Sequence, residues 1–190
     1  MKSNTMFMVA LGALCLTACS SNTTSPSRQA VNAPMVSKPM QARSDADILG
    51  TLIVLNRYEI AAAKEARHRA IHPSVKNYAS FMYKEHRNNL QATVSLSHKL
   101  KIKPNRNNEA ANMLRQQGAR QLGALHQVKA NAFDRAYIAQ MVKDHAAALN
   151  LVDGFYNAST NGLIRNQLKV TRAHIAEHLQ MAKVIQAEIG

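Results

Sequence analysis

Four apolar stripes run through this sequence at helical spacing, and an ionisable side chain sits inside each one. The first stripe is Ile48, Leu52, Leu55, Glu59, Ala62 and Ala66. The second is Val75, Ala79, Met82, His86, Asn89, Thr93, Leu96 and Leu100. The third is Ile138, Met141, His145, Ala148, Val152 and Phe155. The fourth is Ile164, Leu168, Thr171, Ile175, His178, Ala182 and Ile185. The steps alternate between three and four residues, the spacing of a helix face turned toward other helices. Each of four helices therefore aims one polar group at a shared core. A buried ionisable group is costly unless it is paired, hydrogen-bonded or bound to metal.

Breakers between the stripes define the elements. Ser44 or Asp45 caps a first helix that runs to about Ala70, with acids beside its positive end. His72-Pro73 ends it, and Pro73 suits the first turn of a second helix that continues to about Leu100. A polar stretch from Lys101 to Asn108 follows, then a shorter helix over Glu109–Val128, interrupted or kinked near Gly118 or Gly123. A long helix from about Asn131 to Asn157, a turn over Ala158–Gly162 and a last helix over Leu163–Ile189 complete the chain. The fold class is all-α: a four-helix bundle, ferritin-like, with a long helical connector between the second and third long helices. A connector of that length reaches from one end of the bundle to the other, which suits an up-down-down-up order; up-down-up-down is the alternative.

The N-terminal region reads as an address. Lys2 gives a positive start, Met6–Thr17 an apolar run too short to span a bilayer, and Leu16-Thr17-Ala18-Cys19 matches a bacterial lipobox. Residues 1–18 are the expected signal peptide. Residues 19–44 form a lipidated Cys19 followed by a tether rich in Ser, Thr, Asn and Pro, and 45–190 form the folded domain. The acyl chains anchor the protein in the membrane. Ser20, where an Asp would favour inner-membrane retention, points to the outer membrane, with the domain facing the periplasm. Cys15 departs with the signal and Cys19 carries lipid, so the mature chain has no disulfide available.

Removing Lys2 leaves 23 basic against 11 acidic residues, a balance of +12. The excess gathers at Lys99, Lys101, Lys103, Arg106, Arg115, Arg120 and Lys129, with only Glu109 among them. Such a patch fits an anionic envelope polymer or protein partner. Nucleic acid is not expected outside the cytoplasm, and no recognition motif for it is visible.

Counting residues from each turn places Glu59 and His86 level within a few Å; His174 matches His145 in height, and His178, one helical turn on, is offset from His145 by roughly 4–5 Å. Glu59, His86, His145, His174 and His178 are therefore the candidate metal ligands, with Zn, Cu or Fe as the candidate ions. Glu85, Asp144 and Glu177 precede histidines but turn about 100° away from the stripe. Tyr58, Tyr83 and Tyr137 are candidates to hold imidazole tautomers. Met82, Met141 and Met181 read as packing. An echo links Tyr78–His86 (YASFMYKEH) with Tyr137–His145 (YIAQMVKDH).

The lipobox and tether, Tyr58-Glu59, FMYKEH, FDRAYIAQMVKDH over Phe133–His145 and HIAEHLQMA over His174–Ala182 together resemble the bacterial family called domain of unknown function 4142. The resemblance covers about Asp45 to Ala187 and implies a ferritin-like, exported, often outer-membrane protein without a settled activity. Di-iron ferritins need Glu-x-x-His on two helices. The one instance here, Glu65 to His68, lies off the stripe. No nucleophile set stands out, so enzymatic chemistry is not the expectation.

Overall fold

The computed structural model describes residues 44–190; Cys19, the signal segment and the tether through residue 43 lie outside the described residues. Described residues form five helices: α1 (Asp45–Arg69), α2 (Pro73–Leu100), α3 (Glu109–Gln127), α4 (Ala130–Ala158) and α5 (Gly162–Ile189). No strand occurs among them, and none of the helices is long and apolar enough to cross a membrane.

Local chemistry sets the boundaries. Ser44 caps α1 by accepting from the Asp47 N–H, and Asp45 and Asp47 occupy its first turn. Pro73 opens α2, which closes on Lys101 in the left-handed region at φ 55°. Asn108 caps α3 through the Ala111 N–H, and Asn161 caps α5 through the N–H groups of Leu163 and Ile164. These side chains satisfy donors that a helix start leaves open. No break interrupts α3 at Gly118 or Gly123, in contrast to the interruption that the sequence allowed there.

Hydrogen bonds at the two ends fix the helix directions. At one end, the N–H groups of Ile71 and His72 donate to Asp134 at the start of α4, and Ser74 donates to Glu188 at the end of α5. At the other, Ser159 after α4 donates to Asp45, while the Asn105 N–H donates to Ala46 O. So α1 and α5 run one way, and α2 and α4 the other. α1 packs mainly on α2 and α4 mainly on α5; α2 meets α5 and α1 meets α4.

All four stripes face inward, with only Leu96 and Leu100 of the second partly exposed. The core divides into two apolar halves. One holds Ala62, Tyr78, Met82, Phe133, Tyr137, Met141 and Ala182. The other holds Leu52, Leu55, Ala148, Val152, Phe155, Leu168 and Ile175. On α1, α4 and α5 the ionisable stripe residue stands between a member of one half and a member of the other, and on α2 His86 follows Met82 by one turn. A polar layer thus crosses the middle of the core.

The short helix α3 lies against α1 and touches α4. It explains why Ile48–Asn56 is buried without a break, all round the helix: an all-round apolar segment needs cover on every side. Two glycines allow the approach. A Cβ on Gly50 would come 2.0 Å from the Asn105 carbonyl oxygen, and one on Gly118 would come 2.5 Å from the Tyr58 ring.

Candidate metal centre

Three histidines meet in the polar layer. His86 of α2, His145 of α4 and His178 of α5 are 3%, 1% and 1% exposed. Each offers a ring nitrogen within 4.8 Å of the other two. Their ring centroids lie 5.3 to 5.9 Å apart, tilted or edge to face.

Neighbours fix two tautomers. The Asn56 amide nitrogen donates to Leu52 O at 2.8 Å, which turns Asn56 Oδ1 toward His86 Nδ1, 3.0 Å away. An amide oxygen only accepts, so His86 Nδ1 carries the proton and Nε2 keeps its lone pair. His145 Nδ1 lies 2.9 Å from Met141 O and by the same reasoning donates to it. The Nε2 atoms of His86 and His145, and both ring nitrogens of His178, are buried without a hydrogen-bond partner among the described residues. Phe81 sets its ring edge-on to His178 at 5.5 Å, and Tyr78 donates to the His178 carbonyl at 3.2 Å.

Burial keeps these imidazoles neutral. It holds His86 well below the ordinary range, reinforced by the other three histidines. His145 is lowered to about 4 by burial, against the opposing pull of its bond to Met141 O. His178 is lowered to about 3 by burial and then by His145 and His174. Neutral imidazoles with bare lone pairs are what a divalent transition metal requires, and hydrogen bonds on the far nitrogens orient such ligands. Tetrahedral bonds of about 2.0–2.1 Å put ligand nitrogens roughly 3.3 Å apart.

The other sequence candidates fall in different places. His174 stacks beside His178 at 6.4 Å and is half-buried, with a buried Nδ1 lacking a partner, but it is not part of the trio. Glu59 is 2% exposed and shares the layer, yet its carboxylate also lies outside the 4.8 Å set. It faces a second polar group on the α3 side. Burial, and then Asp144, pushes Glu59 up to about 8.

That second group has its own order. Tyr58 donates to Asp144 Oδ2 at 3.0 Å, Gln121 donates to Asp144 Oδ1 at 2.7 Å, and Gln140 donates to Tyr58. Burial raises Asp144, partly countered by those bonds. Tyr58 is thus a partner of Asp144, Tyr83 receives a bond from Arg87, and the Tyr137 hydroxyl has no partner among the described residues. Asn56 and the Met141 carbonyl, not these tyrosines, hold the imidazoles. Asn56 was detectable as the residue three before Glu59, one helical step off the stripe.

The seven basic residues of the connector region are all exposed. Lys103, Arg106 and Arg115 line one cavity of about 650 Å³ together with Arg57 of α1, which the sequence pattern did not include. A neighbouring groove adds Lys101. Lys99, Arg120 and Lys129 are not among the residues lining either. Arg115 also braces the loop, donating to Arg106 O and Asn112.

Residues 30–185 match the family described as Domain of unknown function (DUF4142). The chain belongs to this family. No curated protein and no solved structure matches it.

Proposed function

We propose that this DUF4142 chain is a lipid-anchored envelope protein that holds one transition-metal ion on His86, His145 and His178, inside a ferritin-like four-helix bundle. The observation that carries the reading is the trio itself: three buried imidazoles, each with a bare nitrogen, converge within 4.8 Å. Two of them are oriented from behind by Asn56 and Met141. The up-down-down-up order of α1, α2, α4 and α5 supports the ferritin-like assignment. The lipobox at Leu16–Cys19 supports the anchor, and Ser20 supports the outer membrane with the domain facing the periplasm.

Three nitrogens favour zinc or copper over iron, whose open non-haem sites pair two histidines with a carboxylate. The rings are at most 3% exposed, which suits retention of the ion better than turnover of a substrate. Elemental analysis of tag-free protein from its native envelope tests the reading. About one equivalent of zinc or copper per chain is expected, falling below a tenth in His145→Ala. Metal-free protein that also fails to take up added zinc or copper would leave the layer as a polar core.

A second reading concerns the basic corner. Arg57, Lys103 and Arg106 line one cavity, and no acid pairs with them among the described residues. This corner adjoins Ala46 and Asp47, where the tether joins the domain. We propose that it holds an anionic envelope polymer rich in phosphate. Changing Lys101, Lys103 and Arg106 together to Glu is expected to abolish low-salt binding to lipopolysaccharide, where screening is weakest. Unchanged binding would reduce the patch to a solvated surface.

A further inference from the structure

Beneath α3 lies a second cavity of about 220 Å³, walled by α1, α3 and α4. Glu59 and Asp144 line it, and no Lys, Arg or His does. That is unusual in a chain with 24 basic and 11 acidic residues. Two other acids have cationic neighbours: Glu65 meets Arg69 and Asp153 meets Arg172.

Hydrogen bonds from Tyr58 and Gln121 occupy both oxygens of Asp144. Glu59 is different. It is 2% exposed, and its Oε2 has no hydrogen bond among the described residues. Gln121 Oε1 is buried and equally without a partner. Glu59 and Gln121 each bring one buried oxygen without a partner to the walls of this cavity, and a cationic donor there would hold as carboxylate a Glu59 that burial otherwise keeps protonated up to about pH 8.

The rest of the wall narrows the choice. Leu55, Leu114 and Leu151 make much of it apolar, and exposed Met113, Gln117 and Ala147 form its mouth. A metal ion gains nothing from leucines and needs several more oxygen ligands. The volume of about 220 Å³ holds roughly seven water-sized groups. That is an ammonium head with a chain of about four to six carbons.

We propose that this cavity binds a small primary alkylammonium ion, its head on Glu59 and Gln121 and its chain along Leu55, Leu114 and Leu151. The site is separate from the histidine trio and independent of any metal there.

Calorimetric titration of the full lipidated chain in non-ionic detergent with chelator present tests this, using n-pentylammonium chloride and, as the uncharged comparator, 1-pentanol. One saturable site is expected, binding the ammonium at least tenfold more tightly than the alcohol. Glu59→Gln, which keeps shape and cannot ionise against the bound cation, is expected to weaken the ammonium at least tenfold with helicity unchanged. Ala147→Phe, which fills the mouth from an exposed position, is expected to abolish binding, and it decides the matter if Glu59→Gln does not fold. Absence of saturable ammonium binding, equal affinity for pentanol, or undiminished binding in a folded Glu59→Gln or Ala147→Phe would each overturn the proposal.

Discussion

Loading or stripping the histidine trio should move the melting temperature by an amount that can be worked out beforehand. A ligand bound only by the folded state contributes about 2.7 kcal/mol when its free concentration is one hundred times the dissociation constant. The described residues are 44–190. At about 2.1 cal/mol/K per residue, their unfolding entropy is about 0.3 kcal/mol/K. Zinc at that excess should therefore raise the melting temperature by about 9 °C, and chelator should reverse the rise. His145→Ala costs stability on its own account, about 1–3 kcal/mol for the space vacated and the lost bond to Met141 O. Its lower melting point is thus uninformative; its failure to respond to zinc is the signal. Proton competition adds a second check. His145 and His178 bind protons only near pH 4 and pH 3. The zinc shift should consequently persist at pH 5.5, where ordinary imidazoles are already protonated. Scanning calorimetry of tag-free protein at pH 7 and pH 5.5, with zinc, copper, iron or chelator, makes the measurement. A shift below 2 °C for every metal, or a full shift in His145→Ala, would refute the reasoning.

In metal-free protein the polar layer should give a stability maximum near pH 6–7. Below the ordinary histidine value of 6.5 the unfolded chain takes up protons that His145 and His178 refuse until about 4 and 3, so stability falls on acidification. Glu59 acts in the opposite sense: held at about 8 against 4.5 when unfolded, it contributes stability that is lost as pH rises through that window. Urea melts across pH should show both limbs, with His178→Gln flattening the acid one and Glu59→Gln the alkaline one. Gly50→Ala should destabilise by about 1–3 kcal/mol despite alanine's better helix propensity, because the Asn105 backbone must move; a gain in urea midpoint would contradict that close approach. Cys19→Ala should abolish lipid attachment, read by metabolic labelling with a fatty acid; a labelled product of mature size would rule the lipobox out.

The stripes made most of the fold legible. Heptad spacing reports which face of a helix is buried and how far a residue lies from a turn, and those two quantities place Glu59, His86, His145 and His178 in one layer. They do not report which neighbour a side chain leans toward. Glu59 on α1 turns to the α3 side, beside Asp144, while the three histidines on α2, α4 and α5 turn to one another. His174 was the better match to His145 in height while His178 lay on the stripe, and the choice between them depended on how α5 is rotated. Asp144 was set aside as off the stripe. It is off the stripe, and it is buried because α3 covers that flank and supplies Gln121. The role of α3 was itself obscured by Gly118, which suggested a kink. In the folded chain its missing side chain makes room for the Tyr58 ring.

The sequence echo acquires a physical meaning from the helix directions. α2 and α4 run parallel, so residues at equal positions in YASFMYKEH and YIAQMVKDH reach the same height from two sides of the core. Tyr78 and Tyr137 come within 6.3 Å, and His86 and His145 within 5.9 Å. Met82 and Met141 are both fully buried in the same apolar half. The two remaining long helices break this symmetry. α1 offers Asn56, an acceptor that orients His86 from behind, whereas α5 offers His178, a third lone pair. Had α1 and α5 matched as α2 and α4 do, the layer would hold either two histidines with two amides or four histidines. The observed mixture leaves three histidines with ring nitrogens within 4.8 Å of one another, the donor types that hold a tetrahedral ion while leaving one position open. The asymmetry between α1 and α5, more than the repeat between α2 and α4, therefore gives the polar layer the three-histidine composition on which the proposed metal centre rests.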